Sequence, residues 1–135
     1  MQNLPVIPAL LHAAILGLLS GAVPLKTIAT AAIVAIPAGN GDVIVDPTIV
    51  EVDRAKSVHV LAFTSDKELL LSESEGSFSV DEWTKVLESA QRLCCETRGS
   101  GLDTAMGGGG IESQSIQDFI RATMETKVAA DLHWK

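Results

Sequence analysis

The chain has 135 residues, 47% apolar and only 4% aromatic, which falls within the size of a single packed domain of mixed fold. Ten basic residues against 17 acidic ones leave a net charge of −7, which argues against a free-standing binder of phosphate backbones; any contact with a nucleic acid is expected to be local or shared with partners. The two cysteines, Cys94 and Cys95, are adjacent, so they have neither the paired spacing of a zinc site nor the separation of a loop-closing disulfide, and a reducing intracellular compartment suits them.

Charge is spread very unevenly, with Lys26 the only charged side chain from Met1 to Gly41. Leu4 to Val23 is nearly all apolar, as a signal peptide or membrane anchor would be. Three features oppose that reading. Met1-Gln2-Asn3 carries no positive charge, Pro5 and Pro8 interrupt the run, and another apolar segment of different period follows at once. A buried core helix fits better: Pro8 suits a first turn, Ala9 to Leu19 are good helix formers, and Ser20-Gly21 supplies a stop before Pro24. Because this helix is apolar on every side, it needs cover on more than one face, and a short chain offers little surface for that.

Thr27 to Ile36 is rich in Ala, Ile, Val and Thr, Gly39-Asn40-Gly41-Asp42 tolerates turn conformations, and Val43 to Val45 resumes the β-branched pattern, so a hairpin is predicted. Asp46-Pro47-Thr48 breaks the second strand, and Ile49 to Lys56 reads as a short polar connection. Val58 to Phe63 and Leu69 to Ser74 flank Thr64-Ser65-Asp66-Lys67 and predict a second hairpin.

Helix signals are strongest after that. Ser79 and Glu82 have the spacing of a capping box, and Phe78 and Trp83 occupy the two positions of a hydrophobic staple. Val80, Trp83, Val86, Leu87, Ala90, Leu93 and Cys94 recur at helical spacing until Gly99. Gly99 to Gly110 reads as a flexible loop, and a last helix begins near Ser115, paired with Asp118, with Ile116, Phe119, Ile120, Met124 and Val128 as its apolar stripe.

Motifs that could carry chemistry have ordinary explanations. The four glycines 107–110 lack the Gly-Lys-Ser/Thr ending and preceding strand of a phosphate loop. His12, His59 and His133 lie far apart without companion ligands at metal spacing. Asp42, Asp46, Glu51 and Asp53 could hold a divalent cation or act as acid and base, but loop acids are ordinarily just solvated, and Asp46 before Pro47 suffices to end a strand. Ser72-Glu73-Ser74-Glu75 reads as a solvated strand end. No catalytic, cofactor-binding or metal-binding residue is assigned, and no cofactor is expected.

Taken in order, the helix from Pro8, Val23-Pro24-Leu25-Lys26, the strand to Ile36, the hairpin into Val43-Ile44-Val45-Asp46-Pro47-Thr48, Val58 to Phe63, and Leu69 to Gly76 running into Phe78 and the capped helix carry a family likeness. The series, over about Leu4 to Cys95, resembles the C-terminal half of an RNase PH-like subunit of the eukaryotic RNA exosome core ring. The resemblance implies a mixed α/β fold (α+β, ribosomal S5 domain 2-like) in the order helix, hairpin, hairpin, helix, loop, helix. The implied division is a partial RNase PH-like domain over 1–98, a flexible Gly-rich loop over 99–112 and an amphipathic helix of the same domain over 113–135. It also implies an N-terminal half that these residues do not include.

Two departures bear on activity. Active members of the family carry Gly-Thr-Arg before the long helix to bind the phosphate nucleophile, and the approximate equivalents here are Val6 and Ile7. Active members also carry acids at the start of the strand after the connecting loop, and in register those positions fall at Lys56 and Val58. The resemblance therefore implies a structural subunit, not an enzyme, in a hetero-hexameric ring with other RNase PH-like subunits and cap subunits. It would touch RNA through the assembled complex and support rRNA maturation and 3′-to-5′ RNA degradation in nucleus, nucleolus and cytoplasm, with no membrane partner. The alternatives are an active phosphorolytic 3′-exoribonuclease and a small exported or membrane-associated protein.

Overall fold

A computed structural model describes residues 3–39, 41–95 and 115–132. The elements in chain order are α1 (Val6–Ser20), β1 (Ala29–Pro37), β2 (Ile44–Val45), α2 (Ile49–Arg54), β3 (Ala55–Thr64), β4 (Leu69–Gly76), α3 (Val80–Cys95) and α4 (Ile116–Asp131). The strands form one antiparallel sheet in the order β2-β1-β3-β4. Both predicted hairpins are present, and the mixed α/β expectation holds. The Gly-rich stretch and His133 lie outside the described residues.

The central strands are buried on both faces, which is why β1 reads as an almost unbroken apolar run rather than as an alternation. One face carries Ala32, Val34, Ile36, Leu61 and Phe63 against Val86, Ala90 and Cys94 of α3. The other carries Ile33, Ala35, Val58 and Val60 against Val52 of α2, with Leu4, just before α1, and Ile7, in its first turn, packed on it. The result is a sheet between two helical layers, each with its own core.

Ile49 to Lys56 departs from its predicted form. The polar connection contains α2, whose start is fixed by a reciprocal capping box: Thr48 N–H donates to the Glu51 carboxylate at 2.7 Å, and Glu51 N–H donates to Thr48 Oγ1 at 3.4 Å. Asp46 does end its strand, in the left-handed region at φ 53°, with its N–H donating to the Ile33 carbonyl at 3.0 Å.

α3 begins as predicted. Ser79 N–H donates to Glu82 at 2.7 Å and Glu82 N–H to Ser79 Oγ at 3.2 Å, while the Phe78 and Trp83 rings meet with centroids 5.9 Å apart. α4 is capped by Ser115, which accepts from Asp118 N–H at 3.2 Å. Its docked face differs from the predicted stripe: Gln117 and Ile120 are buried, whereas Phe119 is 61% exposed.

α1 ends one residue later than the glycine signal suggests. Ala22 N–H donates to the Leu19 carbonyl and Val23 N–H to the Leu18 carbonyl, both at 3.0 Å, and the left-handed residue is Ala22 at φ 55° rather than Gly21. This is the Schellman pattern with alanine where glycine is ordinarily found. Ala22→Gly is therefore expected to stabilise the chain by about 1 kcal/mol, since the left-handed conformation costs an L-residue roughly 1–2 kcal/mol and glycine returns part of that as backbone entropy. Denaturant unfolding would show a higher midpoint at unchanged slope.

Of α1's side chains only Ile15 is buried, at 9% exposure. Val6, Leu10 and Leu18 are 50%, 63% and 41% exposed, so the helix shows an uncovered apolar face, as its all-round apolarity suggested.

Candidate functional site

The positions where an active relative would hold phosphate and acid can be followed directly. Val6 stands half exposed in the first turn of α1, and Ile7 packs into the cluster of Ile33, Ala35, Val52, Val58 and Val60. Val58, near the start of β3, has no exposed surface and sits in that same cluster. The fold thus places Ile7 and Val58 in one cluster, and that cluster is hydrocarbon. Such a cluster has no donor for an anion and no group that exchanges a proton.

Lys56 is directed elsewhere. Its Nζ donates to both Glu82 carboxylate oxygens, at 2.8 and 3.0 Å. That hydrogen bond, followed by the one from Ser79 N–H, holds the Glu82 carboxyl down to about 2. The pair ties the start of β3 to the start of α3.

A polar network that sequence reading missed lies beside it. His59 is fully buried, with Nε2 3.0 Å from Ser57 Oγ and Nδ1 2.8 Å from Ser74 Oγ. The Phe78 ring meets it edge-on at 4.7 Å, and Trp83 lies at 5.6 Å. The tautomer follows from satisfying every buried donor. Ser57, itself fully buried, donates its hydroxyl hydrogen to Nε2, Nδ1–H donates to Ser74, and the hydroxyl hydrogen of exposed Ser74 is left to solvent. In this arrangement His59 takes no proton from Ser74, so the serine is not an activated nucleophile. The network pins β4 and the aromatic staple to β3. Ser74 therefore has a structural partner that the reading of Ser72 to Glu75 as a solvated strand end did not include.

The remaining candidates disperse. His12 lies on α1, on the other side of the sheet from the His59 network, and among the described residues no three His, Cys, Asp or Glu side chains are placed to hold a metal ion. Glu51 serves the Thr48 cap. Burial pushes the Cys94 thiol up to about 12, far from thiolate reactivity.

Residues 28–92 match the family description "3′ exoribonuclease family, domain 2". Among curated proteins, the exosome complex component RRP46 of Saccharomyces cerevisiae is 33% identical over 92 residues, covering 64% of this chain and 41% of the yeast protein. Among solved structures, rice (Oryza sativa) Rrp46 superposes with a TM-score of 0.65 over 89% of this chain and 48% of the rice chain, at 24% identity, a likeness of fold. The chain thus spans less than half the length of either relative. Both relatives bear the name Rrp46, and the yeast protein is named as an exosome complex component.

Proposed function

Starting from residues 28–92 as a second domain of the 3′ exoribonuclease family, within an RNase PH-like fold, we propose that the chain is a non-catalytic structural subunit of an RNA exosome ring. The observation that carries the reading is the shared apolar cluster of Ile7 and Val58, positions that the resemblance sets against an active relative's anion site and acid. Exosome membership is supported by the yeast relative, itself named an exosome complex component.

In this reading the chain occupies one position in a hetero-hexamer of RNase PH-like subunits bearing cap subunits. It contributes to rRNA maturation and RNA turnover by holding the ring together, and meets RNA only through the assembled complex. Its net charge of −7 suits a subunit that shares RNA contact with partners. It would work in nucleus, nucleolus and cytoplasm. A phosphorolytic enzyme would require an arginine and a threonine near residues 6 and 7. Among the described residues no helix is long and apolar enough to cross a membrane.

The uncovered face of α1 gives the assembly test. The isolated chain is expected to self-associate, because Val6, Leu10 and Leu18 leave apolar surface in water. When the chain is coexpressed with the other RNase PH-like subunits, native mass spectrometry should show one copy entering the ring. Leu10→Glu should reduce that entry at least tenfold without unfolding the chain. A sharp monomer peak on size exclusion, together with indifference to the other subunits, would overturn the reading.

A further inference from the structure

β1 pairs with β3 along its whole length, but on its other side only Val34 and Ala35 have strand partners, in the two-residue β2. The stretch of that edge before Ile33 has no strand beside it among the described residues. Ala31 lies there, 1% exposed, and a buried backbone N–H must find an acceptor. It finds one in a side chain: Ala31 N–H donates to His12 Nε2 at 2.9 Å. Apart from the terminal Ser20, His12 is the only hydrogen-bonding side chain in α1. This bond is thus a polar tie between an otherwise greasy helix and an open strand edge.

A nitrogen that accepts carries no hydrogen, so the neutral ring has its proton on Nδ1. Protonation at Nε2 would turn the acceptor into a donor pointed at another donor. We propose that His12 is a proton-operated latch: neutral, it holds α1 over the open edge of β1; protonated, it releases α1 from that edge.

Among the described residues the surrounding charges give the imidazolium no compensation. α1 and β1 carry no other titratable side chain. β3 offers Lys56, bound to Glu82, and His59, which faces the α3 side of the sheet with the aromatic staple. α4 carries Asp118, Arg121, Glu125, Lys127 and Asp131; of these, Arg121 and Glu125 line a groove with Leu19 and Lys26. Among the described residues no charge shifts the His12 ring, and burial holds it below its ordinary 6.5. With the docked value depressed, the undocked state binds more protons. The latch is therefore fully closed above about pH 6.5 and weakens as pH falls through that value towards the docked one. Between pH 7.5 and 5.5 the undocked fraction should rise by up to about tenfold, the limit that linkage sets for a group released at its ordinary 6.5.

Hydrogen exchange on the full chain tests this, reading the Ala31 amide against those of Val60 and Leu61 in β3 after correction for intrinsic rates. Ala31 protection should fall severalfold, and by no more than about tenfold, from pH 7.5 to 5.5 relative to β3. In His12→Gln, whose amide oxygen accepts without titrating, it should stay flat. An equal fall in both proteins would assign the effect to another group, and no fall in the wild type would remove it; either overturns the latch. Ring nitrogen shifts of the unmodified chain provide the second reading. Nδ1–H with Nε2 unprotonated at pH 7.5, and titration below 6.5, are required, and the opposite tautomer contradicts the proposal.

Discussion

Val58→Asp is expected to destabilise the chain strongly rather than to equip it with an acid. The side chain has no exposed surface and is surrounded by Ile7, Ile33, Ala35, Val52 and Val60, so a carboxylate there would meet neither water nor a cation. Leaving such a charge unpaired costs about 3–5 kcal/mol, against a total stability of about 5–15 kcal/mol for a domain of ordinary size. Urea unfolding should show the loss directly, largest above the raised pKa of the new carboxyl and smaller in acid. The functional consequence is that one substitution cannot restore catalysis. The surrounding hydrocarbon would have to change with it.

Gly76→Ala is expected to cost about 2–6 kcal/mol. Gly76 sits at φ 106°, where an L-residue is strained by about 1–3 kcal/mol. Its added Cβ would run into the Lys56 carbonyl oxygen and lie 2.7 Å from Ser57 Cα; both are backbone atoms that cannot step aside, and such overpacking adds about 1–3 kcal/mol. The damage should spread, because Gly76 pairs with Ser57 and the next residue, Ser77, donates to the Lys56 carbonyl at 3.3 Å. Loss of the His59 and Trp83 shifts in an NMR spectrum would report it. Gly17→Ala is the control: nothing lies within 4 Å of the new atom, so stability should not fall.

What could be read from the sequence was what is encoded locally. The Ser79–Glu82 box, the Phe78–Trp83 staple and both hairpins are patterns within a few residues, and the structure bears each one out. Thr48 and Glu51 have the same box spacing, but the six-residue helix they start buries only Val52 and has no apolar period to reveal it. Ala22 was hidden by a preference: Gly21 is the residue expected in the left-handed position, yet it is the alanine after it that turns.

Contacts across the sheet were harder to see. His59 and Ser74 are fifteen residues apart and share no motif, but once the turn after Thr64 sets the register they stand directly opposite each other. The His12–Ala31 bond had no sequence signal, because it depends on β2 being too short to cover its neighbour's edge. Phe119 shows the limit of periodicity. The spacing finds a stripe, but which flank of it meets the body depends on how α4 is docked.

The most direct test of the central claim is phosphorolysis by an assembled ring that contains this chain, with any separate hydrolytic nuclease inactivated, supplied with 3′-labelled RNA and inorganic phosphate. Phosphate attack needs a bound and oriented anion, and departure of the ribose oxygen needs an acid or a metal; Ile7 and Val58 supply none of these. No release of nucleoside diphosphates should depend on this chain. Release that is abolished by changing residues of this chain, and not by changing those of its neighbours, would contradict the account.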